Sequence, residues 1–313
     1  VSTLAKAEHF AGPPQWTWYI LFYFFLAGLS GGSYVIATLL RLRGDPAQRA
    51  AAPLGYYVAF LAFLVCPVLL TLDLGRPERF WHMLVNTTPA EQAPTFKYWS
   101  PMSVGAWALV VFGAFVTVSF LAALAGDRMR RTATAGRLAR LLDGAAGSAW
   151  AVLGSLVGLF IAGYTGVLLA VSNQPVWSDT WALGGLFLAS GFSGSAALLG
   201  WLVRFRPEAR PAAEAVARAE RFFVVLEVML IIAFAATLVP AGTLGRAFGY
   251  PWALLWLVAF VGLLPALRRQ APRPSGTGGA VATRAAAVPG LLVTLVVLIG
   301  VLALRAAVIF SAQ

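Results

Sequence analysis

The residues best suited to chemistry gather where an apolar run stops. Residues 60–72 are almost wholly apolar, and Asp73, Arg76, Glu78 and Arg79 then arrive within seven residues, inside the stretch TLDLGRPERFW at 71–81. His82 follows directly. A carboxylate at such a boundary accepts hydrogen bonds or exchanges protons, and an imidazole relays protons near neutral pH. Arg76 and Arg79 are suited to orient Asp73 or to dock a partner, and the plainer alternative is an ordinary interfacial ion pair.

Four more residues carry polar chemistry inside apolar runs. Tyr164 lies about two turns from the end of its run, between Gly163 and Gly166, where a phenol offers one hydrogen bond beside room for a flat ring. Tyr23 lies inside the first run. Glu227 lies inside a later run, where a carboxyl needs a structural partner or serves a proton route. Arg305 lies near the end of the last run, placed to snorkel to the interface or to pair with a carboxylate such as Asp73. The short connection NQPVWSD at 173–179 adds Asn173 and Trp177 to the same end.

The elements that hold these groups follow from composition. The chain has 313 residues, 60% of them hydrophobic and 11% charged, with mean hydropathy +0.80. A soluble domain carries roughly 25% charged residues, so this is an all-α integral membrane protein. Eight spans are expected, near 16–40, 51–72, 101–125, 145–171, 181–203, 222–239, 250–267 and 288–310. Each is long enough to cross a hydrocarbon core of about 30 Å. They divide into an N-terminal segment at 1–15, a four-helix bundle over 16–171 and a second over 172–313, with a Pro- and Gly-rich linker at 271–287. Glycines at 28, 31, 32, 154, 158, 191 and 194 are expected to pack helices closely.

Charge sets the orientation. Of the 23 basic residues, 17 fall in the connections on one side, so that side is cytoplasmic and both termini are extracytoplasmic. The net charge of +11 therefore reflects topology in a bacterial or archaeal cytoplasmic membrane rather than nucleic-acid binding. The opening residues, VSTLAKAEHFAGPPQ, lack the pattern of a signal peptide. The single cysteine, Cys66, excludes an iron–sulfur centre held by this chain alone. His9 and His82 both lie outside the spans, so no axial pair for a membrane haem is expected. No metal-ligand spacing or nucleotide-binding loop is present.

Four stretches resemble the NrfD-type membrane subunits, the family of the polysulfide reductase membrane anchor. They are the aromatic-rich WTWYILFYFFLAGLSGGSYV, the most specific LDLGRPERFW, then YTGVLLAVSNQPVW, and the C-terminal LRAAVIFSAQ. The resemblance covers the whole chain. It implies a quinone-binding subunit without a redox cofactor of its own, exchanging electrons and protons between menaquinone or ubiquinone and a four-cluster ferredoxin-like subunit. A molybdopterin-type catalytic subunit is the further partner it implies. By the resemblance, Tyr164 matches a tyrosine that touches the quinone, and Asp73 matches an acidic residue of the second stretch. Tyr23 and Ile20 stand where the family places a His and an Asn; Tyr23 retains a donor and Ile20 does not. Two other classes fit the residues alone: a secondary transporter or ion channel, and a purely structural anchor.

Overall fold

The computed structural model describes residues 15–88, 90, 93–128, 144–268 and 287–313. The expected segment at 1–15, apart from its last residue, and the linker at 271–287, apart from its last residue, lie outside the described residues, as do the arginines at 130–140. The described chain is helical, with eight long helices: α1 Trp18–Leu42, α2 Pro46–Asp73, α3 Pro101–Arg128, α4 Gly144–Ala170, α5 Leu183–Leu202, α6 Ala213–Ala241, α7 Trp252–Arg268 and α8 Ala287–Phe310. A short helix, Leu244–Phe248, joins α6 to α7. Seven of the long helices contain at least 18 residues apolar enough to cross a membrane. The protein is a multi-pass membrane protein. The expected seventh span differs: α7 has 17 residues, about 25 Å of helix, shorter than the other spans.

Local chemistry accounts for the helix ends. Thr17 caps α1 by accepting from the Tyr19 amide at 3.3 Å. Asp45 caps α2 by accepting from the Ala47 amide at 3.0 Å, and Pro46 occupies the first helical position. That cap starts α2 five residues before the apolar run expected at 51. Likewise α6 begins at Ala213 rather than 222, because its charged first turns continue the helix into the apolar run. Gly242, at φ 72°, ends α6 in the left-handed conformation.

α1 is the central element. Of its apolar window 83% is buried, against 28% for α2 and for α6. It packs on α2, α4, α5 and α8, while α3 covers α2 and α4, and α7 covers α6 and α8. Glycine permits the two tightest approaches. A Cβ on Gly31 would strike the Gly158 carbonyl of α4, and one on Gly191 would lie 2.9 Å from Gly28 Cα. The large side chains left outside, such as Leu61, Leu64, Leu153, Leu156, Met229, Ile232 and Leu257, form the lipid-facing coat.

Each end of the bundle has its own polar clasp. At one end Thr17 Oγ1 donates to Asp73 Oδ1 at 3.2 Å, Thr243 Oγ1 donates to Asp179 Oδ2 at 2.8 Å, and Arg246 donates to the Ser311 and Ala312 carbonyls. At the other, Arg206 grips the Asp127 carboxylate with both terminal nitrogens, and Tyr57 donates to it at 2.8 Å. Those charge-assisted bonds hold the Arg206 guanidinium above its usual range.

Candidate functional site

The first cluster sits at the Asp73 end of α1–α4. Tyr23 and Tyr164 are buried, and Tyr23 lies near enough to Cys66 and Tyr164 to interact with both. Tyr164 donates its hydroxyl to the Pro101 carbonyl, at the first residue of α3. Its ring stacks on Phe160 with centroids 5.3 Å apart and lies over Gly105, where a Cβ would strike it. Gly105, rather than its own neighbours, makes room for the ring. Gly163 and Gly166 turn the other way and approach the backbone of Gly184 and Leu183 on α5.

Asp73 is half-buried, and its hydrogen bond comes from Thr17. Arg76 and Arg79 are exposed and form no ion pair with it among the described residues. The reason is local. Gly75, at φ 64°, turns the backbone out of α2 into a one-sided turn, Pro77–Met83, none of whose residues is buried. His82 rides on this turn, exposed, with its ring edge-on to Trp81 at 4.3 Å. It opens with Asn86, Thr88, Thr95 and Lys97 onto a hollow of 340 Å³, away from Tyr164.

Asn173 is exposed at the α4–α5 turn. Trp177, expected to stand at the interface, is instead fully buried: its indole donates to the Val308 carbonyl at 2.8 Å and stacks on Trp16 at 5.0 Å. It ties the turn to α8. Beside it Val176 holds φ 76°, its amide bonded to Asp179 Oδ2 at 2.8 Å.

The second cluster lies inside the bundle. Glu227 falls at the midpoint of α6, 14 residues from either end, deeper than the late start expected for that helix would place it. Arg305 is fully buried and does not pair with Asp73. Its side chain leans toward the start of α8, as helical side chains do, and so away from the nearer end. Nη1 donates to Ser190 Oγ and Nη2 to the Phe187 carbonyl, each at 2.8 Å, and the guanidinium covers the Phe187 ring at 5.1 Å. Ser193 Oγ donates to Glu227 Oε2 at 2.7 Å and also approaches the Ser190 carbonyl at 2.9 Å. Two serines one turn apart on α5 thus bridge a carboxylate on α6 to a guanidinium on α8. The sequence signal is SGFSGS, whose glycines read as packing residues and hide the serines between them.

Among the described residues no group of three or more His, Cys, Asp or Glu side chains is placed to hold a metal ion. The two clusters can donate hydrogen bonds and hold protons. The first does so at an end of the bundle and the second in its interior.

A family model described as polysulphide reductase, NrfD, matches residues 7–313. The protein is also similar to a subunit of the selenate reductase of Mesobacillus selenatarsenatis, with 33% identity over 75 residues, 24% of this chain and 18% of that protein. It is similar to a membrane-family relative from the polysulfide reductase of Wolinella succinogenes, with 29% identity over 183 residues, 57% of this chain and 55% of that one. The matched stretches therefore span about half or less of those proteins' lengths.

Proposed function

Because the chain belongs to the NrfD polysulphide reductase family, we propose that it is the membrane subunit through which a reductase complex exchanges electrons and protons with menaquinone or ubiquinone. It sits in the cytoplasmic membrane with the Asp73 face outward. Eight helices cross, α7 included, as two four-helix bundles over 16–171 and 172–313. A four-cluster ferredoxin-like subunit docks on the Asp73 face, and the terminal chemistry lies in a molybdopterin-type subunit. A quinone supplies two-electron, two-proton chemistry when bound.

The observation that carries this is Tyr164. Its hydroxyl already donates to a carbonyl, that of Pro101, and a quinone carbonyl is the same kind of acceptor. Tyr23 stands beside it as a second phenol, and the glycine at 105 leaves the Tyr164 ring free of a Cβ wall. Asp73 and His82 hold exchangeable protons at the water's edge. Arg76 and Arg79, unpaired with Asp73, remain available to the partner. Trp177 holds the turn that carries Asn173 against α8.

Tyr164→Phe is expected to lower quinone-linked electron transfer about tenfold, the factor supplied by one hydrogen bond of about 1.4 kcal/mol, with the complex still assembled. Asp73→Asn should lower it as well. Purified complex should release about one quinone per chain on solvent extraction. Full turnover in both variants would sink the assignment.

A second function, ion or solute transport, is favoured by the Glu227–Ser193–Ser190–Arg305 bridge, since polar groups deep in a bundle suit a transport path. Ion flux through the protein alone in vesicles, with no extractable quinone, would select it.

A further inference from the structure

One face of α1 carries a line of polar groups that the site above leaves unused. Ser30, Ser33, Tyr34, Thr38 and Arg41 fall at i, i+3, i+4, i+8 and i+11, a single stripe of a 3.6-residue helix. Ser30 Oγ donates to the Ala59 carbonyl at 2.7 Å. The Tyr34 and Ser119 hydroxyls share a hydrogen bond of 2.8 Å, and Ser119 also accepts from the Trp150 indole at 3.3 Å. The Thr38 and Tyr56 hydroxyls share one of 3.2 Å, and the Tyr34 and Tyr56 rings meet edge to face, centroids 5.1 Å apart. Gly154 leaves room for the Tyr34 hydroxyl, which a Cβ would strike.

Interhelical hydroxyl bonds often serve as glue between membrane helices. Three features here go further. The line is sustained from the Arg41 end of α1 to its middle. Its hydroxyls both donate and accept, as each member of a proton relay must. Two of its members are buried without a hydrogen-bond partner among the described residues: Ser33 Oγ, on a fully buried residue, and Arg41 Nη1. Buried polar atoms of that kind are where structural water belongs. Beyond Ser30 the α1–α2 seam continues past Cys66, whose thiol donates to the Ala62 carbonyl, to Tyr23 and so to Tyr164.

We propose that this stripe is a proton path that enters at Arg41 and leads along the α1–α2 seam toward Tyr23 and Tyr164. It rests on the quinone function above. Reducing a quinone to a quinol consumes two electrons and two protons, and the path supplies protons from the face opposite Asp73. Each hydroxyl passes its proton forward and takes one from behind, so only O–H bonds are exchanged and every group ends as it began.

The test uses the assembled complex in sealed vesicles holding the pH dye pyranine. A membrane-impermeant sulfonated viologen outside donates electrons without protons, and dimethylnaphthoquinone accepts them. The donor reaches only complexes whose Asp73 face points outward, so the dye reports the Arg41 face. The lumen should turn alkaline during turnover, and Tyr34→Phe and Thr38→Val, which keep shape but lose a hydroxyl, should each abolish that signal. Tyr164→Phe should instead slow electron transfer itself. Should Tyr34→Phe fail to assemble, Thr38→Val decides. Quinone reduction with no lumenal alkalinisation, or alkalinisation unchanged in the variants, overturns the path and leaves the quinone function standing. No quinone reduction by the unmodified complex overturns both.

Discussion

Glu227 and Arg305 stand on helices far apart in sequence, with Ser193 and Ser190 between them. A charge enclosed by apolar helices is costly unless its opposite lies close and its remaining hydrogen bonds are met. Here the carboxylate takes Ser193, and the guanidinium takes Ser190, the Phe187 carbonyl and the Phe187 ring. Removing one partner leaves the other charge uncompensated. Glu227→Gln and Arg305→Met are each expected to cost roughly 3–5 kcal/mol, read as a lowered thermal midpoint in detergent. The double variant should lose clearly less than the two single losses combined, because the remaining amide still bonds Ser193 and no charge is left stranded. Strict additivity would show that the two charges do not sense each other. Both residues are legible as unusual in the sequence, since a charge inside an apolar run stands out. Their partners are not. Nothing along the sequence says that a guanidinium near the end of α8 turns back to meet Phe187 and Ser190, more than 100 residues earlier.

At the scale of the element, α1 shows what apolar periodicity reveals and what it conceals. Seven spans are readable because long apolar runs admit only helices in a hydrocarbon core. The faces through which they meet are not readable in the same way. In lipid the outside of a helix is as apolar as its inside, so the usual amphipathic stripe is weak. Small residues are the surviving signal. Gly28, Gly31, Gly158 and Gly191, marked by their size alone, lie at the closest contacts of α1 with α4 and α5. Gly31→Ala would drive a methyl into the Gly158 carbonyl and should cost about 1–3 kcal/mol or more of stability. Gly126→Ala, on the open side of α3, has nothing within 4 Å and should be neutral or stabilising by about 0.5–1 kcal/mol. Thermal unfolding of both in the same detergent checks the pair, and equal behaviour would deny α1 its close-packed seam.

The whole molecule has two unlike ends, and its orientation is open to direct measurement. Trp16, Asp73, Trp177, Asp179, Arg246 and Ser311 are linked at one end by hydrogen bonds and ring stacking between distant segments. Arg206 and Asp127 close the other, where most of the basic residues lie. The arginine count alone orients the molecule, because cationic connections are retained in the cytoplasm whatever the fold between them. Burial of Trp177 escapes the sequence for the converse reason: a Trp at an apolar boundary suits a headgroup belt equally well, and only the fold supplies Val308 and Trp16 to receive it. The native protein is suited to cysteine mapping, since its one cysteine, Cys66, is fully buried and bonded to the Ala62 carbonyl. Asn173→Cys, at the exposed α4–α5 turn, should react with a membrane-impermeant maleimide added to intact cells stripped of any outer membrane. Arg43→Cys, at the exposed end of α1, should react only after the membrane is opened. The reverse pattern would turn the molecule over and place the Asp73 face, with Tyr164 beneath it, on the cytoplasmic side. Any iron–sulfur partner docked there would then have to be a cytoplasmic one, and the proton path along α1 would open to the outside instead.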